Sequence, residues 1–507
     1  MLILTRMKTF NTAGTCRPNE HYMVDITERL EIIRKMVAKG DYFCINRGRQ
    51  YGKTTTLAAL SDYLKNDYCV FSISFEGLGD SSFSAVENTC AEFLKILKRH
   101  SRVNGSSDAI QALLKEVVPL GCKEIASTDF AEIIDELCAL SDKPVVVMID
   151  EVDQASNNDG FIKFLGVLRN MFLSRETFPT FQSVILAGVY DIKNLKPVPF
   201  DVDMSLSAKG IADMLAEYKA DHNMKFDEMF VAQMIRDYTA GYPFLVSRIC
   251  QIIDAERYSW DKDGVLKAVN AILLERNTLF DNMIKKLDDY PELKQTLKGI
   301  LFSGKTRSYN PDEKYIQIAT MFNYIVNKEG KIAVACRIME IRLYNLFISE
   351  EENSSFFMQG QIDKSQFIKD GMIDVPHLLE RFVVHMNQTY KMNHDNEFIE
   401  NDARKVFLTY LRPVINGIGS YHIEEQTRDH DRMDVVIDYL GKQYVIEMKI
   451  WRGNAYNERG EEQLCRYLEY FDLKEGYLLS FCFNKTKQSG LLPPVELNGR
   501  TLIEAIV

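Results

Sequence analysis

Residues 42–60, YFCINRGRQYGKTTTLAAL, constrain the fold of this chain more than any other stretch. Their opening, YFCIN, is a short apolar run rich in aromatic side chains, the pattern of a buried strand. Beyond Thr54, the spacing of Leu57, Leu60 and Leu64 puts all of them on one helical face. A loop holding Gly48 and Gly52 therefore joins a strand to a helix, and backbone N–H groups at such a helix N-terminus converge on an anion. Gly52-Lys53-Thr54 has the form of the end of a phosphate-binding loop. The Lys53 ammonium would reach terminal phosphates and the Thr54 hydroxyl would ligate Mg²⁺. The full pattern asks for a glycine where this chain has Arg47. A lysine–threonine helix cap is the competing explanation, and the loop alone does not separate the two.

A second segment does. KPVVVMIDEVD, residues 143–153, is a run of apolar residues with Asp150 and Glu151 at its C-terminal end. In open parallel sheets ligands lie at the carboxyl ends of strands. An aspartate there can hold Mg²⁺, often through water, and the glutamate after it can orient or deprotonate an attacking water. Further strands are expected in YCVFSISFEG (68–77) and FQSVILAGVYD (181–191), with helices between them. The expected fold class is α/β with a parallel sheet, and the expected ligand is ATP with Mg²⁺. Gly48, Gly52, Lys53, Thr54, Thr55 and Asp150 form the nucleotide set, Thr54 and Asp150 the metal ligands, and Glu151 the catalytic base.

RGRQYGKTT, VVVMIDEVD and the later GYPFLVSRICQ (241–251) together resemble the AAA-like P-loop ATPases of bacteria and archaea, several of which carry an arginine-containing loop of the RPRRFGKS type. The likeness spans about residues 16–353. It implies an ATPase sheet of the additional-strand (ASCE) kind at 16–204 and a helical lid at 205–277. Lys53, Thr54, Asp150 and Glu151 carry over one by one, and Arg248 takes the place of a sensor arginine that contacts nucleotide. Arg175 reads as a surface arginine in preference to an arginine finger. From residue 278 to 353 the order helix, helix, turn at Lys328-Glu329-Gly330 and short ribbon reads as a winged-helix-like module. Its presumed second helix, EKYIQIATMFNYIV, carries few basic residues, which favours packing between domains over reading DNA. SEEENSS (349–355) is the clearest linker, and 354–380 reads as linker and helix.

The C-terminal part holds RDHDRMDVVIDYLGKQYVIEMKIWRG, residues 428–453. DVVIDY and QYVIEMKI read as strands joined through Leu440-Gly441-Lys442. Glu447 and Lys449 alternate with apolar residues and so point to one face, with Met448 opposite. In an antiparallel hairpin the start of one strand lies across from the end of the other, so Asp434 converges on them. Two carboxylates held together repel unless a divalent cation lies between them, and hard oxygen ligands suit Mg²⁺ or Mn²⁺. A lysine beside them can polarise water or stabilise a pentavalent phosphate.

That hairpin resembles the PD-(D/E)XK nuclease superfamily over about residues 381–507, with Met433 where the lead-in proline would be. The resemblance implies a helix before the hairpin (398–415) and another after it (461–471). It assigns catalytic roles to Asp434, Glu447, Lys449 and Gln463, the last with Tyr467 on one helical face. Glu400, Asp434, Glu447 and Met448 would be its metal set.

Composition narrows the function. A chain of 507 residues holds several domains. Its net charge of -11 excludes a uniformly basic nucleic-acid coat and leaves room for a local groove. The ten cysteines are scattered with no CxxC pair, as expected of reduced thiols in a cytoplasm. No apolar run approaches the roughly 20 residues that span a bilayer, and MLILTR is too short for a signal peptide. The reading is a cytoplasmic, ATP-dependent or ATP-gated, Mg²⁺-dependent endonuclease acting on DNA, of the kind that family analogy places in defence or mobile-element biology. Homo-oligomerisation stays open, and no membrane partner is expected. The competing reading is a nucleotide-switched scaffold whose C-terminal domain binds nucleic acid or a partner without cutting.

Overall fold

The computed structural model describes residues 7–119, 121–155, 158–188, 202–303, 307–350, 355–390, 403–415, 419–425, 433–440, 442–450, 461, 464–465, 468–469, 472–482 and 489–507. The chain divides into two units. One is Met1–Glu228 with Gly241–Arg248 and Met321–Asn323; the other is Met229–Ala240, Ile249–Thr320 and Tyr324–Val507.

In the first unit the apolar runs form strands β1 (Tyr42–Asn46), β2 (Cys69–Ser74), β3 (Val145–Asp150) and β4 (Ser183–Gly188). All pair in parallel, in the order β1-β4-β3-β2. β4 thus lies between the strand that ends in the glycine loop and the strand that ends in Asp150, which is the inserted strand expected of an additional-strand ATPase sheet. Every residue of β3 and β4 is buried. Continuous apolar strands of this kind belong to a parallel sheet covered on both faces. One cover holds helices Val86–His100, Ser127–Ala139 and Asp159–Leu173, whose Phe93, Phe130 and Phe164 rings meet at 5.2–5.7 Å. Helix Lys53–Leu64 packs on β2, β3 and β4 outside that cluster. Its Leu57, Leu60 and Leu64 are buried, each stabilising the fold by about 1.5–3 kcal/mol. This fastens the loop's helix to the sheet.

The region expected as a lid is helical: Ala208–Asp221, Glu228–Thr239, Pro243–Ala255 and Lys262–Leu274. Helices Thr278–Asp289, Pro291–Ser303 and Lys314–Met321 follow. Next comes an antiparallel ribbon, β5 (Ile325–Lys328) and β6 (Lys331–Val334). The helix expected to continue through Val326 stops at Met321. Asn323 takes a positive φ of 58° and β-branched Ile325 and Val326 enter the ribbon. Helix Arg337–Ser349 closes the segment.

Helices Ser355–Asp363, Val375–Tyr390 and Ala403–Ile415, with the short ribbon β7 (Ile368–Lys369) and β8 (Met372–Ile373), lead into a mixed sheet. Its strands are β9 (Gly419–Glu425), β10 (Met433–Tyr439), β11 (Lys442–Ile450), β12 (Glu475–Phe481), β13 (Gly490–Leu491), β14 (Val495–Leu497) and β15 (Arg500–Ile506). The order is β13-β15-β12-β11-β10-β9, with β14 also on β15. β10 and β11 form an antiparallel hairpin, whereas β11–β12 and β12–β15 are parallel. Leu464, Cys465 and Leu468 pack with Val436, Val445, Leu478 and Leu502. No helix among the described residues is long and apolar enough to cross a membrane.

Candidate functional site

The glycine loop leaves β1 at Asn46 and enters the helix at Lys53. Its left-handed positions are Gln50 (φ 59°) and Gly52 (φ 79°); Arg47 is not among them. A glycine at position 47 is therefore not demanded by backbone conformation. The Arg47 guanidinium instead donates to the carbonyls of Asn46 and Val202, both at 2.9 Å. Gly48 is needed for another reason, since a Cβ there would lie 2.8 Å from the Phe322 carbonyl oxygen. The Gly-Tyr-Pro turn braces the loop: the Tyr242 hydroxyl donates to the Arg49 carbonyl at 2.5 Å and its ring meets Tyr51 edge-on at 4.6 Å.

Lys53 is buried and donates to the carbonyls of Arg47 (2.8 Å) and Gly48 (3.0 Å), so its ammonium is held at the mouth of the loop. Burial pulls its pKa down, opposed by Asp153, Glu151 and Asp150. The Thr54 hydroxyl donates to Asp150 Oδ2 at 2.6 Å, while Asp150 Oδ1 accepts from the Glu151 N–H at 2.9 Å. The residues expected to share Mg²⁺ are thus in contact across the loop and β3, and a hydroxyl and a carboxylate oxygen are the hard donors that cation takes. Glu151 has a positive φ of 54°, which turns the chain sharply after the strand. Burial, then Asp153 and Asp150, raise its pKa. Gly188, at the end of β4, lets this corner close, for a Cβ there would lie 2.3 Å from Asp153 Oδ1. Asp153, whose charge acts on both Lys53 and Glu151, ends the acidic segment read from the sequence but was given no role there.

The other expected residues of this unit fall around that centre. Thr55 accepts from the Cys16 N–H at 3.1 Å. Arg248 is half-buried on helix Pro243–Ala255. Arg175 supports the fold, since it donates to the Gly40 carbonyl at 2.8 Å and lies 4.2 Å over the Phe172 ring.

In the second unit the register places Asp434 directly opposite Glu447. Strand alternation puts Lys449 on the Glu447 face and Met448 on the other, so Met448 could offer a metal on the Glu447 face only its backbone carbonyl. Glu447 and Lys449 are 0% and 2% exposed. Lys449 pairs with Ser480 on β12, and Lys449 Nζ lies 3.9 Å from Glu504 Oε1 on β15. Sequence reading passed over Glu504, although it is the one acid in the apolar strand TLIEAI. The side chain of Asp434 and the whole of Glu400, Gln463 and Tyr467 lie outside the described residues. Among the described residues no group of three or more His, Cys, Asp or Glu is arranged to hold a metal.

A glycine loop after one strand of a parallel sheet and an acid pair after another, joined by the Thr54–Asp150 hydrogen bond, define a P-loop nucleotide-binding domain. The sequence matches the AAA-like domain family over residues 15–350, and the chain belongs to that family. ATP binding follows from that membership. No curated protein matches the sequence. Solved structures with a similar course include the Walker-type ATPase paby2304 of Pyrococcus abyssi, 12% identical, covering 66% of this chain and 99% of that one at a TM-score of 0.46. The Aeropyrum pernix ORC2 protein is 13% identical, with 68% and 98% covered and a TM-score of 0.39. The Thermotoga maritima RuvB Holliday junction branch migration motor is 12% identical, with 64% and 96% covered and a TM-score of 0.30.

Proposed function

We propose that this chain hydrolyses ATP in its first unit and is an ATP-dependent or ATP-gated, Mg²⁺-dependent endonuclease acting on DNA through its second. For the ATPase, Lys53 binds the terminal phosphates, Thr54 and Asp150 hold Mg²⁺, and Glu151, with its raised pKa, takes the proton of the attacking water. The nuclease reading is carried by one observation: Asp434 and Glu447 are cross-strand partners in β10–β11, with Lys449 on the Glu447 face. A divalent cation between those carboxylates would neutralise phosphate charge, and Lys449 would meet the charge that builds on the scissile phosphate. The winged-helix-like segment 278–353, with few basic residues on its second helix, takes no part in the chemistry and serves packing between domains.

A supercoiled plasmid incubated with the protein tests this. Nicking should require Mg²⁺ or Mn²⁺, fail with Ca²⁺ or chelator, and fall at least ~100-fold in Asp434→Ala and in Glu447→Ala while ATP hydrolysis persists. The near-complete burial of Glu447 and Lys449 favours a second reading, a nucleotide-switched scaffold that does not cut. Intact plasmid with every cation and nucleotide, together with retained DNA or partner binding, would decide for the scaffold.

A further inference from the structure

β12 and β15 carry polar residues to the Lys449 end of the mixed sheet. Leu478 pairs with Glu447 on one side and with Glu504 on the other, and Lys449 pairs with Ser480. Residues paired across parallel strands stand on one face, and so do residues two apart along a strand. Glu447, Lys449, Ser480 and Glu504 therefore share a face. The Ser480 hydroxyl donates to Glu504 Oε1, and Lys449 Nζ approaches that same oxygen at 3.9 Å. Ser480 is 0% exposed and Glu504 9%. Taking a carboxylate and an ammonium out of water is costly before their attraction is counted. An apolar pair of similar size would serve a sheet interior at least as well, so stability alone does not account for this arrangement.

We propose that Glu504, anchored by Ser480, is a positioning residue for Lys449: it holds the ammonium at the end of the β10–β11 hairpin where Asp434 and Glu447 pair in register. The proposal rests on the nuclease reading. A lysine is among the side chains with most rotamer freedom to lose. Holding the ammonium in place beforehand removes that loss from the cleavage step, as pre-organised charge does in other active sites. The pair is also matched by reach, since the lysine lies on β11 and the carboxylate two strands away on β15.

The test is a double-mutant cycle on single-turnover plasmid cleavage, titrated with Mn²⁺ up to saturation, with wild type, Glu504→Gln, Lys449→Ala and the double variant. Glu504→Gln should slow cleavage about 10-fold or more without moving the Mn²⁺ midpoint, and Glu504→Asp should recover part of the rate. The double variant should be no slower than Lys449→Ala alone, because Glu504 acts through that lysine. Losses that multiply in the double variant, or a Glu504→Gln protein that cuts like wild type, would overturn the assignment. Ser480→Ala, which keeps the carboxylate, should show a smaller loss of the same kind and covers the case in which Glu504→Gln does not fold. If wild type cuts under no condition, the nuclease reading fails by itself. The pairing is then read from urea unfolding of the same four proteins, where additive penalties for the two substitutions would overturn it as well.

Discussion

Lys53 donates to carbonyls of its own loop at 2.8 and 3.0 Å, so a phosphate oxygen that binds here meets an ammonium already desolvated and aimed. Charge-assisted bonds of this kind are the strong ones. Lys53→Ala should therefore weaken binding of a fluorescent ATP analogue by about 100-fold or more while leaving the far-ultraviolet dichroism unchanged; wild-type affinity in the variant would mean that the site is elsewhere. Glu151→Gln should keep that affinity and lose turnover, since it removes the proposed proton acceptor and leaves Thr54 and Asp150 in place. The same substitution should change stability in a direction set by the raised pKa. The native state holds the Glu151 proton more tightly than the unfolded chain does. Stability of the nucleotide-free protein then falls as pH rises from the unfolded pKa, about 4.3, through the raised native one. Above that window wild type bears the whole penalty and glutamine bears none. Glu151→Gln should melt slightly higher than wild type at pH 7, solvent screening keeping the effect small, and the difference should vanish near pH 4. A variant that melts lower at pH 7 would show that the Glu151 carboxylate stabilises the fold.

The elements that carry the nucleotide site were legible because their patterns are unmixed. VVVMID reads as a buried strand and forms one, and TTTLAALSDYL reads as a one-faced helix and forms one. What the pattern could not convey is why Arg47 is tolerated. That depends on where the loop turns left-handed, at Gln50 and Gly52, and on the carbonyls of Asn46 and Val202 that receive the guanidinium. The helix read through Val326 failed for a related reason. Apolar residues continue at helical spacing past Met321, and the helix ends because Asn323 takes a positive φ and Ile325 and Val326 pair in the ribbon. Glu504 was missed because a lone acid on a late strand becomes meaningful only through its neighbours on β11 and β12. Gly48 offers a check on the loop as an element. Its missing Cβ makes room for the backbone of Phe322, which cannot retreat as a side-chain tip can. Gly48→Ala should destabilise the protein by about 1–3 kcal/mol and lower ATP affinity as the loop shifts, measured by urea unfolding and by nucleotide titration. An alanine variant with the wild-type unfolding midpoint would mean that the loop is not braced there.

On the scale of the whole chain the open question is whether nucleotide state reaches the C-terminal sheet. Both units have a tyrosine-anchored contact in the same short stretch of sequence. Within the second unit the Tyr238 hydroxyl donates to Asp438 Oδ2 at 3.0 Å, and Asp438 lies on β10, the strand of Asp434. Within the first unit Tyr242 donates to the carbonyl of Arg49 in the glycine loop. Chain connectivity therefore joins a residue that holds the nucleotide loop to a residue that holds the strand of Asp434. A shift in the loop on exchanging ATP for ADP would bias that strand only by a difference in interaction free energy between the two states, which is what coupling means. Plasmid cleavage should then differ between ATP, ADP and nucleotide-free protein. Tyr238→Phe, which deletes one hydroxyl from a buried pair, should lower stability by about 1–3 kcal/mol and reduce that difference while ATP turnover continues. Equal cutting in all nucleotide states by wild type would remove the gating; a Tyr238→Phe protein that responds to nucleotide as fully as wild type would move the coupling to another part of the chain.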